Sequence, residues 1–161
     1  MDLQKSILEK AMRYCKELFP DARYDKDGDI EFEYGSTKAW IDIIPTSKHE
    51  GKNAEEFVLK HDLPKYLVRV RALMLAGVPR SPVLFQWVAT ESPNNLGGIR
   101  VRLDDNGTCD LYYHYVLVGD TLDPGELKNA IVVVAAIAAK LDDEAQKKFG
   151  GKRWADIKQS S

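Results

Sequence analysis

Leu3, Ile7, Ala11, Tyr14 and Leu18 recur three or four residues apart, and Leu8 and Cys15 widen the stripe. Lys5, Glu9, Arg13 and Lys16 fall on the far side, so the period predicts an amphipathic helix, stopped at Pro20. From Asp29 the period changes. Ile30, Phe32 and Tyr34 alternate with Asp29, Glu31 and Glu33, the pattern of a half-buried strand. A second strand follows the Gly35-Ser36 turn, from Thr37 to Ile44, and Pro45 ends it. Thr46 to Lys65 is polar and lacks a clear period; NAEEFVLKHD inside it suits either a helical turn or two or a short strand. The stretch reads as an inserted connection.

Tyr66 to Val78 is rich in apolar and β-branched residues and predicts a third strand. Ser81 and Pro82 then mark a helix start, with Leu84, Phe85, Trp87 and Val88 as its apolar side and the SPNNLGG loop as its end. Ile99 to Leu103 and Cys109 to Val118 flank DDNGT, and Asn106-Gly107 is a tight-turn signal, so a hairpin is expected. The last helix is the best marked. Asp123 caps it, Pro124 takes the first position, Glu126 completes a capping box, and Gly150-Gly151 closes it. Its main stripe is Leu127, Ala130, Ile131, Val134, Ala138 and Leu141. Val132, Val133, Ala136 and Ala139 lie opposite, so the helix is apolar almost all round. It is either sandwiched within the chain or buried against a second copy, which makes those four candidate homodimer contacts.

The elements follow the order α-β-β-β-α-β-β-α: three helices and an antiparallel sheet of about five strands, an α+β class. One domain over residues 1–151 and a C-terminal tail over 152–161, loose beyond Trp154, are expected.

Composition narrows function by exclusion. The 161 residues are 44% hydrophobic and 30% charged, with net charge −2. The chain has no global positive field for a phosphate backbone, so no nucleic-acid partner is expected. The first ten residues carry no signal-type apolar core, and the apolar run from Ala130 to Ala139 is half a bilayer span. A cytoplasmic protein with no membrane partner is expected. Cys15 and Cys109 form no CxxC and fall on apolar faces, as small buried hydrophobes do.

Candidate chemistry is sparse. DKDGDIEFEYGS, Asp25 to Ser36, opens like a calcium loop, but the sixth and twelfth positions hold Ile30 and Ser36 where that loop needs Gly and Glu. A turn feeding a strand is the better reading. His49, His61 and His114 share no ligand spacing, and no nucleophile-elbow, P-loop or dinucleotide motif occurs. No metal, cofactor or catalytic residue is assigned, and the chain is read as no enzyme. Arg69-Val70-Arg71 and Arg100-Val101-Arg102 repeat a tripeptide in which alternation puts both arginines on the face opposite the valine. On neighbouring strands the four would form a basic patch for an anionic ligand or peptide carboxylate. Alternatively they pair with Glu31, Glu33, Asp42 or Asp110, with Glu31 and Glu33 the first choice. Trp40 and Tyr112 share the outward register, as a peptide-binding or dimer surface would use them.

VRVRALMLAGVPRSP (Val68 to Pro82), GDTLDPGEL (Gly119 to Leu127) and LDDEAQKKFGG (Leu141 to Gly151) resemble the YbjN family of the type III secretion chaperone-like superfamily. The resemblance implies a cofactor-free α+β protein, often dimeric, that binds a peptide or protein client; some members are described as regulators of sensory transduction. Trp40, Arg69, Arg71, Arg100, Arg102 and Tyr112 are the candidate contacts. The alternative is a small-molecule sensor or enzyme that holds an anionic ligand on the arginine-bearing face.

Overall fold

The computed structural model describes residues 2–49, 53–90 and 97–160. Helix α1 (Leu3–Leu18) starts where the Asp2 carboxylate accepts the Gln4 N–H at 3.1 Å. It buries Ile7, Ala11, Met12 and Cys15, so the stripe centres on Ile7, Ala11 and Cys15, while Leu3 and Leu18 are exposed at its ends.

Among the described residues six strands form one sheet: β1 (Arg23–Tyr24), β2 (Ile30–Tyr34), β3 (Thr37–Pro45), β4 (Tyr66–Pro79), β5 (Gly98–Leu103) and β6 (Thr108–Val118). Their order is β1-β2-β3-β4-β6-β5, and every neighbouring pair is antiparallel. The turn between β1 and β2 is built by Asp25, whose carboxylate accepts the N–H groups of Asp27 and Asp29 at 2.9 and 3.0 Å. The run that opens like a calcium loop thus spends its first acid on backbone donors.

Period two splits the sheet into two faces. Ile30, Phe32, Ala39, Ile41, Val68, Val70, Leu111 and Tyr113 face the helix layer and are buried. That layer is α1 and α4 (Pro124–Phe149), with α3 (Pro82–Thr90) beside β5. Asp123 caps α4 by accepting from the N–H groups of Gly125 and Glu126 at 2.8 and 3.0 Å. The helix packs on β4 and β6 with one side and on α1 with another, where Lys128 pairs with Glu17. Ala130, Ala135, Ala138 and Ala145 are nearly or fully buried, and their small side chains allow the close approach on both sides.

One open reading is resolved, one falls on undescribed residues and one is corrected. Residues 46–65 hold a 3-10 turn (Thr46–His49) and a helix, α2 (Ala54–Lys60); residues 50–52 lie outside the described residues. The SPNNLGG loop lies outside them as far as residue 96. The C-terminal segment is not loose: α5 (Trp154–Gln159) follows a bridge between Lys152 and Ala76 of β4. Arg153 binds Asp156 and Asp143, and Lys158 binds Glu33 at 2.7 Å. Gly151 permits this return. Its φ is +88°, and a Cβ there would sit 2.7 Å from Val78 Cγ2.

Candidate functional site

The sheet face opposite the helices carries the polar members of each strand. Its floor is acidic. Asp42, Glu31 and Asp110 are buried beneath longer side chains, at 4%, 8% and 7% exposure. Arg69 Nε donates to Asp42 Oδ2 at 2.7 Å, and Arg71 Nε reaches the same oxygen at 3.1 Å. Arg71 Nη2 also contacts Asp29 Oδ2 at 3.3 Å. Arg102 pairs with Asp110, which accepts the Gly77 N–H with its other oxygen at 2.9 Å. Arg23 and Lys38 take Glu31 between them, and Lys158 takes Glu33.

Rings and cations lie over that floor in one continuous row. Lys38 Nζ is 4.8 Å from the Trp154 ring and 5.3 Å from Trp40. Arg71 Cζ is 5.0 Å from Trp40 and 5.8 Å from Tyr112, and Arg102 Cζ is 5.6 Å from Tyr112. Trp40 and Tyr112 meet edge to face, their centroids 6.3 Å apart. Cross-strand register contributes to this: Trp40 is opposite Arg71, and Arg102, opposite Asp110, is diagonal to Tyr112. Each cation–ring contact contributes about 0.5–1 kcal/mol when partly exposed, so the row holds its side chains in place before any ligand arrives.

Electrostatics divide the acids. Burial, then the hydrogen bond and charge of Asp42, push the Asp29 carboxyl up to about 7, against a smaller opposing effect of Arg71. Burial also raises Asp42, but Arg71, the Asp29 hydrogen bond and Arg69 outweigh it and hold that carboxyl below its ordinary value. Asp29 and Asp42 therefore share a proton near neutrality, with the charge resting on Asp42. Burial, Arg100 and Arg69 hold His114 down to about 4, and the neutral ring accepts from Arg100 Nε at 2.9 Å. Burial pushes the Cys15 thiol up to about 12 and raises Cys109 as well, so neither offers a thiolate nucleophile. Among the described residues, no group of three or more His, Cys, Asp or Glu is placed to hold a metal.

Five of the six candidate contacts, Trp40, Arg69, Arg71, Arg102 and Tyr112, join the packed row and its acidic floor. Arg100 stands at the sheet edge with His114. The four arginines do not form one patch. β6 lies between β4 and β5, and Arg69, Arg71 and Arg102 already hold carboxylates. Their partners are Asp42, Asp29 and Asp110 rather than Glu31 and Glu33, which turn to Arg23, Lys38 and Lys158. Asp29, Lys38 and Trp154 are members that sequence reasoning missed. Lys38 shares the outward register of Trp40, which was the available signal; Trp154 carries no periodic signal at all. On α4, Val132 is 43% exposed, while Val133, Ala136 and Ala139 are half-buried within the chain.

The family model TY-Chap1, described as "T3SS (YopN, CesT) and YbjN peptide-binding chaperone 1", matches residues 54–157, well over half of the chain. α2 falls within the matched residues, and so does most of α5. No curated protein matches. Among solved structures, the crystal structure of YbjN from E. coli aligns over 88% of this chain and 93% of that one. Its TM-score is 0.56 at 9% identity, a likeness of fold.

Proposed function

The chain belongs to the family of T3SS (YopN, CesT) and YbjN peptide-binding chaperones, and from that premise we propose that it holds an extended client segment against the open face of its sheet. The observation that carries this reading is the row of rings and cations from Trp154 to Arg102, preordered over buried carboxylates. Flat rings accept apolar client side chains at low entropic cost, and the sheet edges offer backbone donors and acceptors to an extended chain. The module is non-enzymatic, uses no cofactor and acts in the cytoplasm; no helix among the described residues is long and apolar enough to cross a membrane. A small anionic ligand is the less favoured occupant, because three of the four arginines already hold carboxylates. Self-association through Val132, Val133, Ala136 and Ala139 belongs to the same reading, and light scattering tests it as a dimer mass.

The test is an array of peptides, acetylated and amidated at their ends, followed by fluorescence polarisation on the best binders. Saturable binding that falls at least tenfold in Trp40→Ala and in Tyr112→Ala supports the proposal. Absence of saturable binding across the array contradicts it. A thermal shift with phosphorylated metabolites that is lost in Arg69→Ala would favour the small-anion reading instead.

A further inference from the structure

Beyond Gly151 the chain leaves the helix layer for the opposite face of the sheet. Lys152 is its fixed point. The Lys152 N–H donates to Ala76 O at 2.9 Å, and Lys152 O accepts from the Ala76 N–H at 2.8 Å. β3 does not reach this part of β4, since its pairing stops at Ala72. α5 then settles on the turn between β2 and β3. The Ala155 N–H donates to Ser36 O at 3.1 Å, the Trp154 ring lies 4.8 Å from Lys38 Nζ, and Lys158 binds Glu33 at 2.7 Å. On its other side Arg153 pairs with Asp143, and Asp156 accepts from Gln146 at 2.8 Å. None of the six residues of α5 is buried. A helix this short has no stability of its own, so these contacts hold it. The Lys158 and Glu33 side chains are 54% and 44% exposed, and water replaces such a pair at little cost.

The place that α5 occupies is continuous with the client face in two directions. Lys38 Nζ lies against both the Trp154 and the Trp40 rings, so Trp154 ends the ring row. Trp40 and Tyr112 stand on strands, whereas Trp154 belongs to the tail. In the other direction a cleft of about 340 Å³ opens beside β2, with Leu18, Pro20, Arg23, Glu31, Glu33 and Lys38 in its lining. Glu33 and Lys38, which hold the tail, thus belong to the cleft as well. A segment that runs from the ring row into the cleft must cross α5. Trp154 and Lys158 show what the crossing takes: a ring on Lys38 and a cation on Glu33.

We infer that α5 is an occupant in cis: Trp154 and Lys158 hold the places of an aromatic and a basic side chain of the client, and a client that carries this pair displaces them. This rests on the peptide-binding reading above and adds to it a subsite, a side-chain preference and a competing segment of the chain itself. The spacing of the pair follows from backbone geometry. Four residues of helix put Trp154 and Lys158 about 6 Å apart along the axis. In an extended client two residues cover about 7 Å, and both side chains point to the same face. The pair is therefore aromatic-x-basic in a strand. Adjacent aromatic and basic residues would turn one of the two away from the sheet.

The probe is fluorescein-Gly-Thr-Trp-Thr-Lys-Thr-Gly-amide, compared by fluorescence polarisation with its isomer fluorescein-Gly-Thr-Trp-Lys-Thr-Thr-Gly-amide. The first is expected to bind at least fivefold more tightly. It should gain at least a further fivefold on the full-length Trp154→Ala/Lys158→Ala variant, whose tail no longer competes. When the probe saturates the wild type, hydrogen exchange at the Ala155 amide should quicken at least tenfold, with α1 and α4 unchanged. Unchanged exchange in α1 and α4 of the double variant confirms that its core is folded. Equal affinity of the two isomers overturns the inference, as does equal or weaker binding by the double variant. An Ala155 amide unmoved at saturation overturns it too, and so does failure of the probe to bind either protein. The array of end-capped peptides decides the broader reading separately: binders that leave the Ala155 amide protected refute the displacement and spare the peptide-binding face.

Discussion

Replacing Asp29 by Asn should stabilise the protein at pH 8 and not at pH 4. The native Asp29 carboxyl titrates at about 7, against 3.8 for the ordinary group. Between those values the folded chain holds a proton that the unfolded chain has released. Stability from this group is therefore complete below about pH 4 and lost as pH rises through 7. At about 1.4 kcal/mol per pH unit, the whole window corresponds to about 4 kcal/mol. The Asp29 side chain is 29% exposed and shares its proton with Asp42, so about 2 kcal/mol is the expected share. The Asp29→Asn variant fixes the protonated state in covalent form: its amide donates to Asp42 at every pH, as the protonated acid does only at low pH. Urea unfolding of both proteins at pH 4, 6 and 8 measures it. The difference, variant minus wild type, should grow by about 2 kcal/mol over that range. A difference that stays constant, or shrinks as pH rises, refutes the shared proton.

Asp42→Ala should cost about 2 kcal/mol in the same unfolding assay, since it strips Arg69 of its carboxylate and leaves Arg71 with Asp29 alone; a cost below ~0.5 kcal/mol contradicts the acidic floor. Gly151→Ala should lose about 2 kcal/mol or more through its positive φ and the approach to Val78, and should speed tryptic cleavage at Lys152 and Arg153 as α5 loosens. An unchanged cleavage rate would count against α5 as a docked helix. Cys15 and Cys109 should resist Ellman's reagent at pH 8 in the native protein and react fully in urea, because burial holds both thiols protonated; fast native labelling contradicts that.

The helix layer and the long strands were legible because each obeys one period over many residues. The stripe from Leu127 to Leu141 is the packed side of α4, and the alternation from Ile30 puts Ile30 and Phe32 in the core, although Glu31 on the other face is buried too and Tyr34 is exposed at the strand's end. Capping chemistry was equally plain, since Asp123 and Asp25 act on backbone groups only a few residues away. What escaped depends on contacts distant in sequence. α5 is six residues long and owes its place to Ala76, Asp143 and Glu33, none of which a local pattern can announce. The two-residue β1 is too short for any period to register. The arginine partners were misread for a related reason. Alternation fixes which face a side chain occupies, but strand order decides its neighbours, and β6 separates the two repeated tripeptides. Asp29 looked like part of a turn and proved to be the titrating member of a carboxylate pair, a property that exists only once β3 brings Asp42 beside it.

A client segment held on the polar face and edge of the sheet would leave the helix layer bare. Amide and indole chemical-shift mapping on 15N-labelled protein, titrated with the tightest peptide from the array, tests it most directly. Saturable shifts are expected at the Trp40 indole and at Arg71, Tyr112, His114 and Val116, with α1 and α4 unmoved. Shifts concentrated on α1 and α4, with the Trp40 indole unchanged at saturation, would contradict it.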